Sequence, residues 1–263
     1  MSFFELFRKK NASLPTAIIF VDFEHWCISL SRLHNMRPQV RNQYEEITKR
    51  FNVIKMLFFG DFTNPLLRNE MDGIREVTNN IIDTQNPSLT YKKDYTDFIM
   101  LDCIYQEADE NPKADTYILF TGDGHFSSVV RYLKIKKKKK IIIYGVKGAV
   151  SGKLKSIADE CIEFPNQDDE RVNYYKMLIE NFDYLFKQGQ KNVYPTFLST
   201  VKYVAVRYHV CEDNVRTALM ELIDMGVIVK KEERIGFSRT IRTLHVDWEK
   251  AIEKGLWSAE HAL

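Results

Sequence analysis

One stretch constrains this chain more than any other: Tyr117-Ile-Leu-Phe-Thr-Gly-Asp-Gly-His-Phe-Ser-Ser128. Four apolar or β-prone residues run straight into Thr121-Gly122-Asp123-Gly124, and an amphipathic segment begins at Phe126. That order spells a buried strand, a tight glycine turn and a helix. The two glycines let the backbone turn sharply and leave room for a ligand to approach it. Asp123 is then expected to project from the carboxyl end of a parallel strand, the edge at which open α/β sheets bind ligands. The competing role for the same acid is to cap the next helix.

The rest of the chain repeats the alternation. Strands are expected over residues 17–23, 51–59, 81–82, 140–144 and 161–164, besides the opening one. Helices are expected over residues 24–33, 40–50, 66–79, 94–108, 126–133 and 152–159. Trp26, Ile28, Leu30 and Leu33 are the inward residues of the first helix. Strands alternating with helices define an α/β fold, a doubly wound parallel sheet, over residues 1–165. Residues 165–170 are polar and read as a linker. Beyond them the pattern changes to helices over 172–186, 194–208 and 212–225, then a hairpin of 227–231 with 240–246 around the tip 233–238. Three helices and a hairpin predict a small α+β, winged-helix-like domain over residues 171–263.

Three carboxylates fall where the alternating unit would gather them. Asp22 ends the first strand. Asp123 ends the strand that becomes its neighbour if the order reverses at a switch point. Asp97 lies in the first turn of the 94–108 helix, on the stripe of Leu101, Ile104 and Ala108 that must face the sheet. Asp102 falls at the edge of that stripe, and Asp94 is an N-cap candidate. The competing expectation for these acids is capping and solvated surface. Converging carboxylates repel unless a cation joins them, and hard oxygen ligands suit Mg²⁺ or Mn²⁺.

Composition limits the alternatives. No apolar run approaches the roughly 18 residues of a membrane span. The N-terminal segment places its charge after its apolar residues, the reverse of a secretory signal. Cys27, Cys103, Cys161 and Cys211 show no paired spacing, so reduced thiols, a cytoplasmic location and no zinc site are expected. A net charge of +2 argues for no particular partner. The run Lys134, Lys136–Lys140 offers a phosphate-contacting patch or, more simply, a solvated helix end. By strand direction it belongs to the edge opposite Asp123. Asp61 ends a strand and either rims the cleft or serves a turn. Arg234, Arg239 and Arg242 on the hairpin offer contacts to a nucleic-acid backbone. Tyr174, Tyr175 and Trp248 read as core.

Several of these pieces carry a resemblance. Phe20-Val-Asp22, Lys93-Asp-Tyr-Thr-Asp97, Thr121-Gly-Asp-Gly-His-Phe126, Ile141-Ile-Ile-Tyr-Gly145 and Ser151-Gly-Lys-Leu154 with Ala158-Asp159 follow the order of a NYN domain. The chain from about Ala17 to Phe164 thus resembles that PIN-like nuclease fold. The resemblance implies metal-dependent hydrolysis of RNA phosphodiester bonds, with catalytic acids at Asp22, Asp97 and Asp123. It departs from the family pattern at His25, where Asn is common, and at His125, where a second Asp is common. Nitrogen donors favour softer ions than Mg²⁺, so His125 is a candidate fourth ligand with a preference for Mn²⁺. His25, Thr121 and Asp102 are outlying members of the site. The expected partners are RNA and a protein bound through the C-terminal domain, with no membrane. The alternative is a catalytically weak or inactive RNA-binding regulatory protein.

Overall fold

The computed structural model describes residues 14–85, 95–187, 194–235 and 239–258. The expected loop at Asn86-Pro87 and Lys92-Lys93, the N-cap at Asp94 and the hairpin tip beyond Ile235 lie outside the described residues. The chain divides between Pro165 and Asn166 into two compact units.

The first unit is built on six strands: β1 Thr16–Asp22, β2 Asn52–Gly60, β3 Ile81–Asp83, β4 Thr116–Phe120, β5 Lys140–Val146 and β6 Glu160–Phe164. All pairings are parallel, in the order β3-β2-β1-β4-β5-β6. The order reverses between β1 and β4, so two neighbouring strand ends face diverging connections there. In register, Val21 lies opposite Phe120, so Asp22 and Thr121 follow side by side.

Helices cover both faces of the sheet, which is why β1 and β4 are apolar without alternation. Ile19, Val21, Phe58, Ile118, Phe120 and Ile142 pack on one face with Phe23 and Trp26. Ile18, Phe20, Phe59, Leu119 and Ile143 pack on the other with Ile104, Phe126 and Val130. Each such large side chain, fully withdrawn from water, stabilises the fold by about 1.5–3 kcal/mol.

Among the described residues the helices of this unit are α1 Phe23–His34, α2 Val40–Thr48, α3 Pro65–Arg68, α4 Met71–Arg75, α5 Tyr95–Glu110, α6 Ser127–Ile135 and α7 Gly152–Ile157. A single 3₁₀ turn, Gly124–Phe126, precedes α6. α5 buries Met100, Ile104, Glu107 and Ala108. Its buried Glu107 pairs with Lys55 of β2 and accepts from Asn111, which ties the helix to the sheet.

Two expectations are corrected here. In α1 the buried stripe is Phe23, Trp26, Cys27 and Leu30, whereas Ile28 and Leu33 are exposed. At about 100° per residue, position 28 points almost opposite to position 26. The helix expected over 66–79 is instead the two short helices α3 and α4. Asn69 ends the first, and Thr78 bonds its hydroxyl to the Met56 carbonyl at 3.0 Å, drawing the chain onto β2.

The second unit comprises α8 Gln167–Lys187, α9 Phe197–Tyr208, α10 Glu212–Asp224, an antiparallel pair β7 Ile228–Ile235 and β8 Arg239–Val246, and α11 Trp248–Glu253. Leu178, Ile179, Val201, Val204, Leu219, Leu222 and Leu244 form its core. Tyr175 is buried in it; Tyr174 and Trp248 are half-buried against it. α9 starts later than residue 194, because Thr196 and Ser199 form a capping box. The α11 helix was not foreseen.

The linker expected over 165–170 is also corrected, since α8 begins at Gln167. Asn166 and Asp169 cap each other: the Asp169 N–H donates to Asn166 Oδ1 at 2.9 Å and the Asn166 N–H to Asp169 Oδ2 at 3.1 Å. Asp168, Asp169 and Glu170 then favour the positive end of the helix dipole.

The lysine run sits at the amino-terminal edge of the sheet, since Lys140 opens β5. Lys134 pairs with Asp159 at 2.9 Å, Lys137 with Asp109, and Lys139 donates to the Pro112 carbonyl at 2.6 Å. No helix among the described residues is long and apolar enough to cross a membrane.

Candidate metal centre

The carboxyl ends of β1 and β4 carry the acids, and local turn chemistry aims them. Asp22 caps α1, accepting the His25 N–H on Oδ1 at 3.0 Å. Asp123 caps the 3₁₀ turn, accepting the His125 N–H on Oδ1 at 2.8 Å. Thr121 joins the two: its hydroxyl donates to Asp22 Oδ2 at 3.2 Å and accepts the Asp123 N–H at 3.1 Å. Capping and convergence are therefore not alternatives at this edge. The bonds that cap also fix where the carboxylates point.

Asp97, in the first turn of α5, reaches the same place from the layer above. His125 Nδ1 lies 3.7 Å from Asp97 Oδ2 and 3.4 Å from Asp123 Oδ1. Donor atoms of Asp97, Asp123 and His125 all lie within 4.8 Å of one another. Their side chains are 16%, 36% and 66% exposed, so the cluster opens to solvent on the imidazole side. Two carboxylates and one imidazole at this spacing fit one divalent cation at about 2.0–2.6 Å from each donor. The mixed oxygen and nitrogen set suits Mn²⁺ as well as Mg²⁺.

Asp22 is not one of those three. It lies beneath them, 4% exposed. Burial raises its carboxyl to about 7, with the Asp97 charge adding to the effect and the bonds from His25 and Thr121 opposing it. Burial also holds the His25 imidazole below its ordinary value, against the pull of Asp123. His25 packs on the glycine turn and is outside the three-residue cluster. Asp102 is on the exposed side of α5, where its carboxylate accepts from Gln106 at 2.8 Å.

Gly122 is required by close approach. A Cβ there would lie 2.1 Å from the Ala149 carbonyl oxygen and 2.8 Å from His25 Cε1. The loop after β5 is clamped over the turn, with the Ser151 N–H donating to the Gly122 carbonyl at 2.8 Å. It brings Lys153 beside Gly124, with Lys153 Cδ 4.0 Å from the position of a Cβ there. On the β2 side, Asp61, Thr63, Asn64, Thr84, Tyr95 and Thr96 line a cavity of 380 Å³ together with Glu24 and Pro65. Apart from Asp61, sequence reasoning missed this wall, because its residues come from four separate stretches and share no motif.

Residues 16–167 match the family model of the NYN domain. The chain belongs to the NYN domain family. NYN domains are typically ribonucleases and generally use divalent metals, in keeping with the acidic cluster at this sheet edge. Among solved structures, this NYN domain is similar to a protein of unknown function from Vibrio parahaemolyticus RIMD 2210633. The two are 21% identical, the match covers 60% of this chain and 97% of that one, and the TM-score is 0.53; this likeness shows the fold. A curated relative, the phosphoheptose isomerase of Aneurinibacillus thermoaerophilus, is 30% identical over 67 residues, 26% of this chain. The chain spans about a third of that relative's length, 34%.

Proposed function

We propose that this NYN domain is a metal-dependent endoribonuclease that hydrolyses RNA phosphodiester bonds to a 5′-phosphate and a 3′-hydroxyl. The observation that carries the proposal is the meeting of Asp97, Asp123 and His125 over the buried Asp22 at the switch point of the sheet. Asp97, Asp123 and His125 would hold the cation. Mg²⁺ or Mn²⁺, when bound, makes water more acidic and offsets charge on the phosphate.

The chain's own residues do the rest. Asp123 and His125 are held by a single 3₁₀ turn, so their spacing is set before any ligand arrives. Asp22, buried beneath the cluster with its two oxygens engaged by the His25 N–H and the Thr121 hydroxyl, would add negative charge under the cation. Thr121 orients that carboxyl through Oδ2. Lys153, exposed on the β5 side, is placed to meet a backbone phosphate. The helices α8–α10 with the β7–β8 hairpin would act as a winged-helix-like domain that selects the substrate or a protein partner. Four free cysteines suit a reducing, cytoplasmic setting.

The test is cleavage of a mixture of single-stranded and hairpin RNA in Mg²⁺ and in Mn²⁺, with EDTA as control. Cleavage that requires metal and is lost in Asp123→Asn is the expected result. A second reading, RNA binding without cleavage, is favoured by His125, which removes one negative charge from the cluster. RNA binding with no metal-dependent product would select it.

A further inference from the structure

We infer that the 380 Å³ cavity beside the cluster is a nucleobase pocket, taking one unpaired, amino-bearing base (adenine, cytosine or guanine) of the RNA strand next to the cleaved bond. The inference rests on the ribonuclease reading of the same site. The cavity and the cluster are built on the same elements: Thr96 of its lining immediately precedes Asp97, and Glu24 lies two residues beyond the buried Asp22. Its volume is at the lower end of ligand pockets, about 300–1,000 Å³, which suits one planar group.

The lining specifies what that group is. Asp61 and Glu24 bring carboxylates, which when ionised only accept hydrogen bonds. Asp61 Oδ1 already takes the Thr63 N–H at 3.0 Å and the Thr63 hydroxyl at 2.5 Å, which fixes the carboxylate's orientation. Asn64 Oδ1 accepts the Leu66 N–H at 3.0 Å, so its amide N–H₂ is the group left to donate. The Thr84 and Thr96 hydroxyls bond each other at 2.7 Å. Two carboxylates repel a phosphate, so the strand's backbone does not run through this cavity. Carboxylates instead match the exocyclic N–H₂ of cytosine, adenine or guanine. Uracil has no amino group; its one donor on that edge, N3–H, is flanked by two carbonyl oxygens that the carboxylates repel.

An aromatic completes the pocket. Tyr95, at the start of α5, is 40% exposed and lines the cavity. Phe98, one turn further on, is 67% exposed and extends the apolar surface towards solvent. Exposed rings beside a polar cavity are stacking surfaces for unpaired bases. A paired base cannot turn its Watson–Crick edge into the cavity, so the substrate class is single-stranded or looped RNA.

The test is equilibrium binding, by fluorescence anisotropy, of the full chain in EDTA to labelled eight-nucleotide RNAs. One is all uridine; the others carry one central cytidine, adenosine or guanosine. The substituted RNAs should bind roughly 5- to 100-fold more tightly than the all-uridine one, as a good base-edge contact provides. Asp61→Asn should erase that preference. Tyr95→Ala should weaken binding of the substituted RNAs by roughly 5- to 100-fold, and Tyr95→Phe should restore it. Circular dichroism checks that each variant is folded. Equal binding of all four RNAs, wild-type affinity in Tyr95→Ala, or no RNA binding would each overturn the pocket. Cleavage in Mn²⁺ is scored on the same preparations. Selective binding without cleavage keeps the pocket and removes the nuclease reading; cleavage without base selectivity does the reverse.

Discussion

Replacing Asp22 by Asn should make the metal-free protein more stable, and increasingly so as pH rises. In the folded chain this carboxyl titrates at about 7, against 3.8 for an unperturbed aspartate, chiefly because burial disfavours the charge. A folded-state value above the unfolded one means that the folded chain holds the proton more tightly. The stability this gives is fully present below about pH 4 and is lost as pH rises through 7. Once the group is ionised in both states, the gap between 3.8 and about 7 amounts to about 4 kcal/mol. Asparagine has the same shape, never ionises, and can still accept the His25 N–H. The gain of Asp22→Asn should therefore grow by about 1.4 kcal/mol per pH unit between pH 4 and 7 and level off above. Urea unfolding of both proteins in EDTA at pH 5, 6, 7 and 8 reads this directly. A gain that is the same at pH 5 and pH 8, or a variant less stable throughout, would refute the assignment of the buried charge to Asp22.

Other outcomes are fixed by the same geometry. Near pH 7 the metal-free protein holds about half a proton on Asp22, so Mn²⁺ binding should release a fraction of a proton; calorimetry in buffers of different ionisation enthalpy measures it. His125→Asp replaces nitrogen by oxygen in the cluster and should move the metal preference from Mn²⁺ towards Mg²⁺, in binding and in cleavage; an unchanged ratio would show that His125 is not a ligand. Gly122→Ala must displace the Ala149 carbonyl and should cost about 3 kcal/mol in thermal unfolding, the upper end for overpacking. Asp102→Asn, on the exposed side of α5, should change stability by less than about 0.5 kcal/mol and leave cleavage intact.

Strand-end logic located much of this site, because a doubly wound sheet has one edge where its strand ends meet diverging loops. Asp22 was legible from an apolar run that stops at an acid, and Asp123 from a glycine turn that follows another such run. Asp97 was legible from its place on the buried stripe of α5. That Asp22 would lie beneath the cluster rather than in it was not legible, since only the docking of α5 against β1, β2 and the 3₁₀ turn sets which donors face one another. Ile28 and Leu33 show a related limit: apolar character alone does not say which face of a helix is covered. The Asn166–Asp169 cap was mistaken for a linker because the polar residues that begin helices are also those that fill loops.

Thr121 has one consequence for how the site behaves with pH. A hydroxyl carries a single proton and two lone pairs, so it can reverse the direction of a hydrogen bond without moving. While Asp22 is ionised, Thr121 donates to it. When Asp22 takes up a proton, the carboxylic O–H can donate back to the same oxygen, which still accepts the Asp123 N–H. The link between the two strand ends survives in both protonation states. The turn that carries Asp123 and His125 thus keeps its tie to the first strand end while Asp22 changes charge, whereas Asp97 senses that charge through space.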